Sequence, residues 1–312
     1  MNQQPKTSPS SVAGDLVVIQ RNRTSGAGKS HQALLELIRE LRNRQLCVRM
    51  FSNRDQLDEF INSGHVNGRL RCIVAAGGDG TVASLFNRHP NRVIALLPMG
   101  TENLVARHLN MPCNGSVVAD VIEAGHVERF DTAQAGENRF LLMASAGIDA
   151  EVVRCLHAIR SGHIRRWTYI RPILQTFASY RFPEITVMDA DTRNTVTGSH
   201  IIVSNFGEYG FGLQLNPDAD PTDGQLDICV FRKRSLMHTA IHAVRSLFRA
   251  QNDQHVVRFR SQHVSLSETR ILDAEGRRSP AIPLQTDGDI AGQLPINIQI
   301  NAAAMQVLVR GA

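Results

Sequence analysis

Long apolar runs are missing from this chain: no stretch approaches the roughly 20 consecutive apolar residues that cross a bilayer as a helix. Lysine is almost absent, and only Lys6, Lys29 and Lys233 accompany the arginines among the 34 basic residues. Aromatics make up 5%, too few for base-stacking surfaces, and there is neither zinc-finger spacing nor an aromatic RNA-binding pattern, so no nucleic-acid partner is expected. The five cysteines (Cys47, Cys72, Cys113, Cys155, Cys229) form no CxxC pair. That excludes a disulfide framework and a cysteine zinc site. Cys47, Cys72 and Cys229 sit in apolar strand-like runs, so buried, reduced thiols in an intracellular protein are expected. Met1–Gly14 has no apolar core of a signal peptide. It is rich in Ser, Pro and Gln and reads as a disordered lead-in.

What is present is ordinary globular material, 42% hydrophobic and 20% charged over 312 residues, enough for two domains with separate cores. The net charge of +5 favours an anionic partner. Up to about residue 110, strands and helices alternate: strands at 16–20, 46–51, 70–76 and 92–97, helices at 29–44, 56–61, after Thr81 to Asn87 and at 102–109. This alternation predicts a doubly wound, mainly parallel sheet. Beyond residue 125 the pattern changes. Strands are predicted at 127–135, 139–145, 184–189, 195–204, 225–231, 256–260, 263–267 and 296–300, with helices at 149–160, 165–180 and 236–250. The expected division is 1–14 as lead-in, 15–130 as an α/β domain and 131–312 as a β-rich domain. Met305–Arg310 is a last strand that fits either domain.

Three turns in the first domain follow predicted strands. Gly77-Gly78-Asp79-Gly80-Thr81 lacks side chains where backbone N–H groups meet phosphates at a helix start, and Asp79 suits Mg²⁺ or a reacting hydroxyl. By itself it is equally an ordinary glycine corner with Asp79 as helix N-cap. Gly100-Thr101-Glu102-Asn103 repeats the device one strand later, which favours one extended phosphate crevice. Asn22–Ser30 ends in Gly28-Lys29-Ser30 like a P-loop, but that motif requires glycine where Arg23 stands. Asn22, Ser25, Gly26 and backbone N–H groups remain available to a nucleotide. A basic, apolar stretch from Arg154 to Arg181, with Trp167 and Tyr169, reads either as surface helices with core faces or as a contact for an anionic membrane.

In this order the motifs resemble the diacylglycerol kinase catalytic-domain family, which includes bacterial lipid kinases and the sphingosine and ceramide kinases. Its glycine-Asp loop is shared more loosely with NAD kinases and phosphofructokinases. The resemblance rests on Asn22-x-x-Ser25-Gly26-x-Gly28, Gly77–Thr81, Leu97–Asn103, Ala146–Ala150, Ser204-Asn205 followed by Asp223–Asp227, and Gln285–Asp289. Departures are Ala83 and Ser84 for the usual Asn-Glu, Leu104 for Asp, and Asp289 for Glu. The resemblance implies an α/β domain followed by a β-sandwich. It implies ATP as phosphoryl donor, held by Asn22, Ser25, Gly26, Gly77–Thr81, Gly100, Thr101 and Asn103. It also implies Mg²⁺ held by the Asp223 carboxylate with the carbonyls of Asp220 and Gln225, and a lipid alcohol as acceptor. An alcohol needs a carboxylate to take its proton. Asp287 is the first candidate because it would face the acceptor side, and Asp79 is the second. From the residues alone, Asp223-Gly224 and Asp287-Gly288 are plain turns. A soluble kinase of the NAD kinase type and a non-catalytic nucleotide-binding protein are the rival readings. The expected location is cytoplasmic, peripheral to the inner membrane face if the basic stretch binds lipid, and a homodimer is left open.

Overall fold

The computed structural model describes residues 14–22, 25, 29–64, 66–159, 180, 182–208, 216–235, 253–268 and 281–311. Gly26, nearly all of the helix expected at 165–180 and the helix expected at 236–250 lie outside them. The chain divides into two compact units, one ending at Phe130 and completed by Ala303–Ala312, the other Asp131–Ala302.

In the first unit the strands are β1 (Leu16–Arg21), β2 (Cys47–Phe51), β3 (Leu70–Gly77) and β4 (Val93–Pro98). The helices are α1 (Lys29–Asn43), α2 (Arg54–Asn62), α3 (Asp79–Arg88), α4 (Leu104–His108) and α5 (Gly115–Ala124). All strand pairings here are parallel, in the order β2-β1-β3-β4. Leu16–Ile19 and Cys72–Ala76 are buried throughout, as continuous apolar strands are when both faces are covered. The chain leaves β1 towards β2 on one side and β3 towards β4 on the other. The strand order therefore reverses between β1 and β3, and in open α/β sheets ligands bind at the carboxyl ends of such a pair. Those two ends carry Asn22 and Gly77-Gly78.

Helix α5 is not marked by a strong helical period in its β-branched sequence. Its stops are chemical: the Asn114 side chain accepts from Val117 N at 2.9 Å, and Gly125 closes the helix at φ 68°. Gly115 lets α5 meet α1, because a Cβ there would stand 2.3 Å from Ala33 O and Leu37 N. Cys47, expected to be buried, is exposed, because β2 is the edge strand and Cys47 opens it.

The second unit holds two antiparallel layers. One is six-stranded, in the order β12 (Val256–Ser261), β11 (Leu226–Phe231), β10 (His200–Ser204), β7 (Met143–Ala146), β14 (Pro283–Thr286), β15 (Asp289–Gln293). The other runs from β16 (Ile296–Leu308) through β13 (His263–Glu268) and β8 (Ile185–Asp189) to β9 (Thr195–Gly198). β5 (Val127–Ala135) pairs with β16 and with β6 (Asn138–Phe140). Buried side chains of both layers share one core, including Ala146, Ile201 and Leu284 from the first and Val187, Leu266 and Ile298 from the second. Helix α6 (Ile148–Ile159) follows β7.

Four expected strands differ. The strand expected at 139–145 is two, β6 and β7, because the N–H groups of Leu141, Leu142 and Met143 are all donated to the Asp287 carboxylate. The strand at 195–204 breaks beside Ser199, where Gly198 lies tight against Phe231 O. The two strands at 296–300 and 305–310 are one, β16, with Ala303 at φ 52°. Its last residues lie parallel to β4, Gln306 opposite Val93.

Candidate active site

In the first unit the three predicted turns converge. Asn22 N donates to Ala76 O at 3.0 Å, and its side-chain amide reaches Thr81 Oγ1 at 3.5 Å. Ser25 N folds back onto Asn22 O at 3.2 Å. The two glycine turns touch backbone to backbone: a Cβ on Gly100 would stand 2.5 Å from Gly78 Cα, and one on Gly77 would stand 2.2 Å from Thr81 Oγ1. Glycine is therefore required at 77 and 100 by packing, independently of any ligand. A Cβ on Gly80 would meet nothing within 4 Å. Helix α3 follows its N-cap Gly78 with no side chain among the described residues capping it, so its first N–H groups and the positive end of its dipole suit an anion.

Asp79 is not an unattached carboxylate among phosphates. Its Oδ2 accepts from Leu104 N at 2.9 Å and its Oδ1 from Val105 N at 3.1 Å, which ties the start of α4 to the glycine loop. Burial pushes its carboxyl above the ordinary range, and the two N–H bonds only partly offset this. Asn103 is similarly occupied: it sits at φ 50°, accepts from Gly100 N at 2.9 Å and donates to Gly100 O at 3.0 Å. Its amide shapes the second turn. Thr101 is exposed.

In the second unit, Asp287-Gly288 is a two-residue hairpin turn between β14 and β15, with Asp287 at φ 50° and Gly288 at φ 87°. Two positive φ values make the primed turn that Asp-Gly favours. The Asp287 carboxylate accepts three backbone N–H bonds, from Leu141 at 2.7 Å, Leu142 at 2.8 Å and Met143 at 3.0 Å. It is an oriented acceptor on a rigid turn.

The Asp223 loop holds its own carboxylates. Asp223 accepts from Gln225 N at 2.9 Å and faces Arg260 Nη1 at 3.4 Å. Asp220 accepts from Thr222 N and Oγ1 at 2.9 and 2.6 Å. Arg260 also holds Asp227 Oδ1 at 3.1 Å, while the buried Asp227 Oδ2 has no hydrogen-bond partner among the described residues. Desolvation raises the Asp223 and Asp227 carboxyls above their usual range, with Arg260 opposing. Among the described residues no three His, Cys, Asp or Glu side chains are grouped for a metal ion. A hard cation here would draw on the Asp223 carboxylate and on main-chain oxygens, a donor set that suits Mg²⁺ or Ca²⁺.

Two residues join these motifs, one of them, Asp131, missed as a candidate from the sequence. Asp131, 2% exposed, accepts from Gly224 N at 2.7 Å and donates its own N–H to Pro221 O at 2.6 Å. Asn205, 1% exposed, donates to Asp131 O and Leu141 O, both at 2.8 Å. The Asp223 loop is thus linked through Asp131 and Asn205 to the backbone that Asp287 holds. The available signal for Asp131 was a carboxylate inside the apolar strand run Phe130–Ala133, where an acid is rarely buried unpaired.

Comparison with known proteins places the chain in a family. The model of the diacylglycerol kinase catalytic domain matches residues 16–135, and that of the YegS C-terminal NAD kinase beta sandwich-like domain matches residues 143–309. A diacylglycerol kinase of Mycobacterium tuberculosis is 28% identical over 301 residues, covering 92% of this chain and 93% of its own. One from Staphylococcus carnosus is 26% identical over 294 residues, covering 88% and 89%. The crystal structure of a diacylglycerol kinase from Bacillus anthracis superimposes with a TM-score of 0.68 at 17% identity over 95% of this chain and 97% of its own, a likeness of fold. With a catalytic-domain match over the first unit and a sandwich-domain match over more than half of the chain, the protein belongs to the diacylglycerol kinase family of lipid kinases.

Proposed function

We propose that the lipid-kinase activity of this chain moves the γ-phosphate of ATP onto the hydroxyl of a diacylglycerol-like or sphingoid lipid. The nucleotide phosphates sit on Gly77–Thr81, Gly100 and Thr101, with Asn22, Ser25 and Gly26 beside them. The lipid oxygen bonds to the γ-phosphorus as the bond to ADP breaks, and the hydroxyl proton passes to Asp287. Phosphoryl transfer of this kind depends on positioning and charge stabilisation more than on a strong base, which suits a carboxylate oriented by three N–H bonds. Asp79 then acts as a positioning residue, since it holds α4 and the second turn against the phosphate loop. Mg²⁺, when bound, would be held by the Asp223 carboxylate with the carbonyls of Asp220 and Gln225, and would supply positive charge at that loop.

The observation that carries this reading is the uncapped start of α3 at the strand switch point, with two glycine turns packed backbone to backbone beside it. Relatives named diacylglycerol kinase that match along nine-tenths of both chains favour a lipid over a soluble acceptor. Labelled-ATP transfer over diacylglycerol, sphingoid bases, NAD and soluble alcohols tests it. Label in a lipid product supports it, and label only in a soluble product overturns it. Asp287→Asn is expected to lower kcat by roughly 10²–10⁴ with KM for ATP unchanged. A loss confined to ATP binding would move the proton acceptor elsewhere.

A further inference from the structure

Gln285 lies two residues before Asp287 on β14, points into the sheet and is 2% exposed. Its Oε1 accepts the Gly288 N–H at 2.8 Å, so it grips the turn that carries Asp287. With that oxygen occupied as an acceptor, its amide nitrogen is the donor to Ser145 Oγ at 2.6 Å, on the neighbouring strand directly opposite. The Ser145 hydroxyl therefore donates onward to the Asp149 carboxylate in the first turn of α6. Asp149 is fixed in turn: its Oδ1 accepts Ala150 N at 2.7 Å and faces His200 Nδ1, from β10, at 3.5 Å. Gly147 makes room for that approach, because a Cβ there would stand 2.8 Å from His200 Nδ1.

We infer that Gln285, oriented by Ser145 and Asp149, is a positioning residue for the transfer step, holding the Asp287-Gly288 turn from inside the sheet. The inference rests on the proposed role of Asp287. Every bond in the row points the same way, from the Gly288 N–H through Gln285 and Ser145 to the Asp149 anion, and bonds in such a row strengthen one another. The row leaves the Gln285 amide one orientation. On the same face of the sheet the row borders Ile202 of β10, which lies opposite Ser145 and is buried, while Ala144, Ala146, Leu284 and Ile201 at the neighbouring positions turn to the core on the other face. Apolar side chains would fill these positions without any requirement for matched partners, and buried polar groups are stabilising only when every member is satisfied. A polar row in that setting that ends on the turn bearing a reacting carboxylate points to positioning. Misplacing a reacting group by about 1 Å costs on the order of a hundredfold in rate.

The test is steady-state kinetics of the full chain with ATP and diacylglycerol in mixed micelles, comparing Ser145→Ala, Gln285→Met, the double variant and each of these on an Asp287→Asn background. Ser145→Ala is the milder change and serves if Gln285→Met does not fold. The expected result is a kcat lowered about 10- to 100-fold by either single change, with KM for ATP within about twofold of wild type. The double variant should be no slower than the slower single one, because both changes break one row, and neither should slow Asp287→Asn further. Folded single variants with wild-type kcat, or losses that multiply, overturn the inference. If Asp287→Asn is slow while the singles are normal, the positioning role falls and the role of Asp287 stands. If Asp287→Asn itself turns over normally, it is the reading of Asp287 that fails.

Discussion

At the scale of single residues, the acids of this protein hold backbone in place. Asp79, Asp131 and Asp287 each accept main-chain N–H groups from a segment distant in sequence. That fact changes what their substitution should do. Asp79→Asn keeps one acceptor oxygen where the native residue offers two, and its amide NH₂ would face a backbone donor. Leaving a buried donor unpaired costs about 1–3 kcal/mol. The variant is therefore expected to lose thermal stability as well as to raise KM for ATP, since α4 and the second glycine turn lose their tie to the first. Calorimetry beside ATP kinetics checks this. A variant that is slow yet as stable as wild type would show that the N–H bonds matter less than contact with the nucleotide. The identity of Asp79 as a special residue was legible from Gly-Gly-Asp-Gly-Thr. Its partners, Leu104 and Val105, were not, because a bond across 25 positions leaves no local pattern.

At the scale of elements, helices and turns carry conditions of their own. Helix α3 ends beside His89, which is 6% exposed with its Nε2 2.8 Å from Asp58 Oδ1 of α2, while Arg88 reaches Asp58 and Asp55. Burial holds the His89 imidazole below its ordinary value, against the pull of Asp58. A depressed folded-state value means that the neutral ring contributes stability above about pH 6.5, the unfolded value. That contribution is lost as the pH falls through the folded value. His89→Gln should remove this part of the slope, so urea midpoints of wild type and variant should move closer, or cross in favour of the variant, between about pH 8 and pH 5. A constant difference would exclude His89 as the titrating group. The Asp223 loop makes a second prediction. A metal that binds only the folded state stabilises it by mass action, by about 2.7 kcal/mol at a hundredfold excess over Kd. Mg²⁺ should raise the melting temperature of wild type but not of Asp223→Ala, and an equal rise in both would remove Asp223 from the metal site.

At the scale of the whole molecule, the first unit is completed by the end of the chain, Ala303–Ala312, while the second is continuous from Asp131 to Ala302. β16 gives its last residues to the parallel sheet at β4 and its first to the antiparallel layer at β13. No helix among the described residues is long and apolar enough to cross a membrane. Arg160, Arg165, Arg166 and Arg171 lie outside the described residues, and their spacing among apolar residues is a matter of sequence alone. Binding to anionic vesicles should fall with salt, and should weaken when the four are changed together to Gln, each basic residue being worth on the order of 1 kcal/mol near such a surface. Unchanged sedimentation of the quadruple variant would place lipid contact elsewhere.

Local chemistry was readable from the chain directly. Continuous apolar runs gave buried parallel strands, and the Gly-Thr turns after them are the two glycine turns that pack backbone to backbone at the start of α3. Asp-Gly gave turns, and the order of the motifs gave the family. These are properties of neighbouring residues, so they are written along the sequence. Three things were decided only by the fold. The reversal of strand order between β1 and β3 brings together loops far apart in sequence, Asn22 meeting Ala76 and Thr81. The Asp287 carboxylate takes three N–H groups from residues 141–143 and so divides one expected strand into two. The polar row from Gly288 to Asp149 spans two strands and a helix. In each case the partner of a buried polar group is set by strand pairing and burial. A buried carboxylate or amide must find its donors wherever the chain has folded them, however distant they are in the sequence.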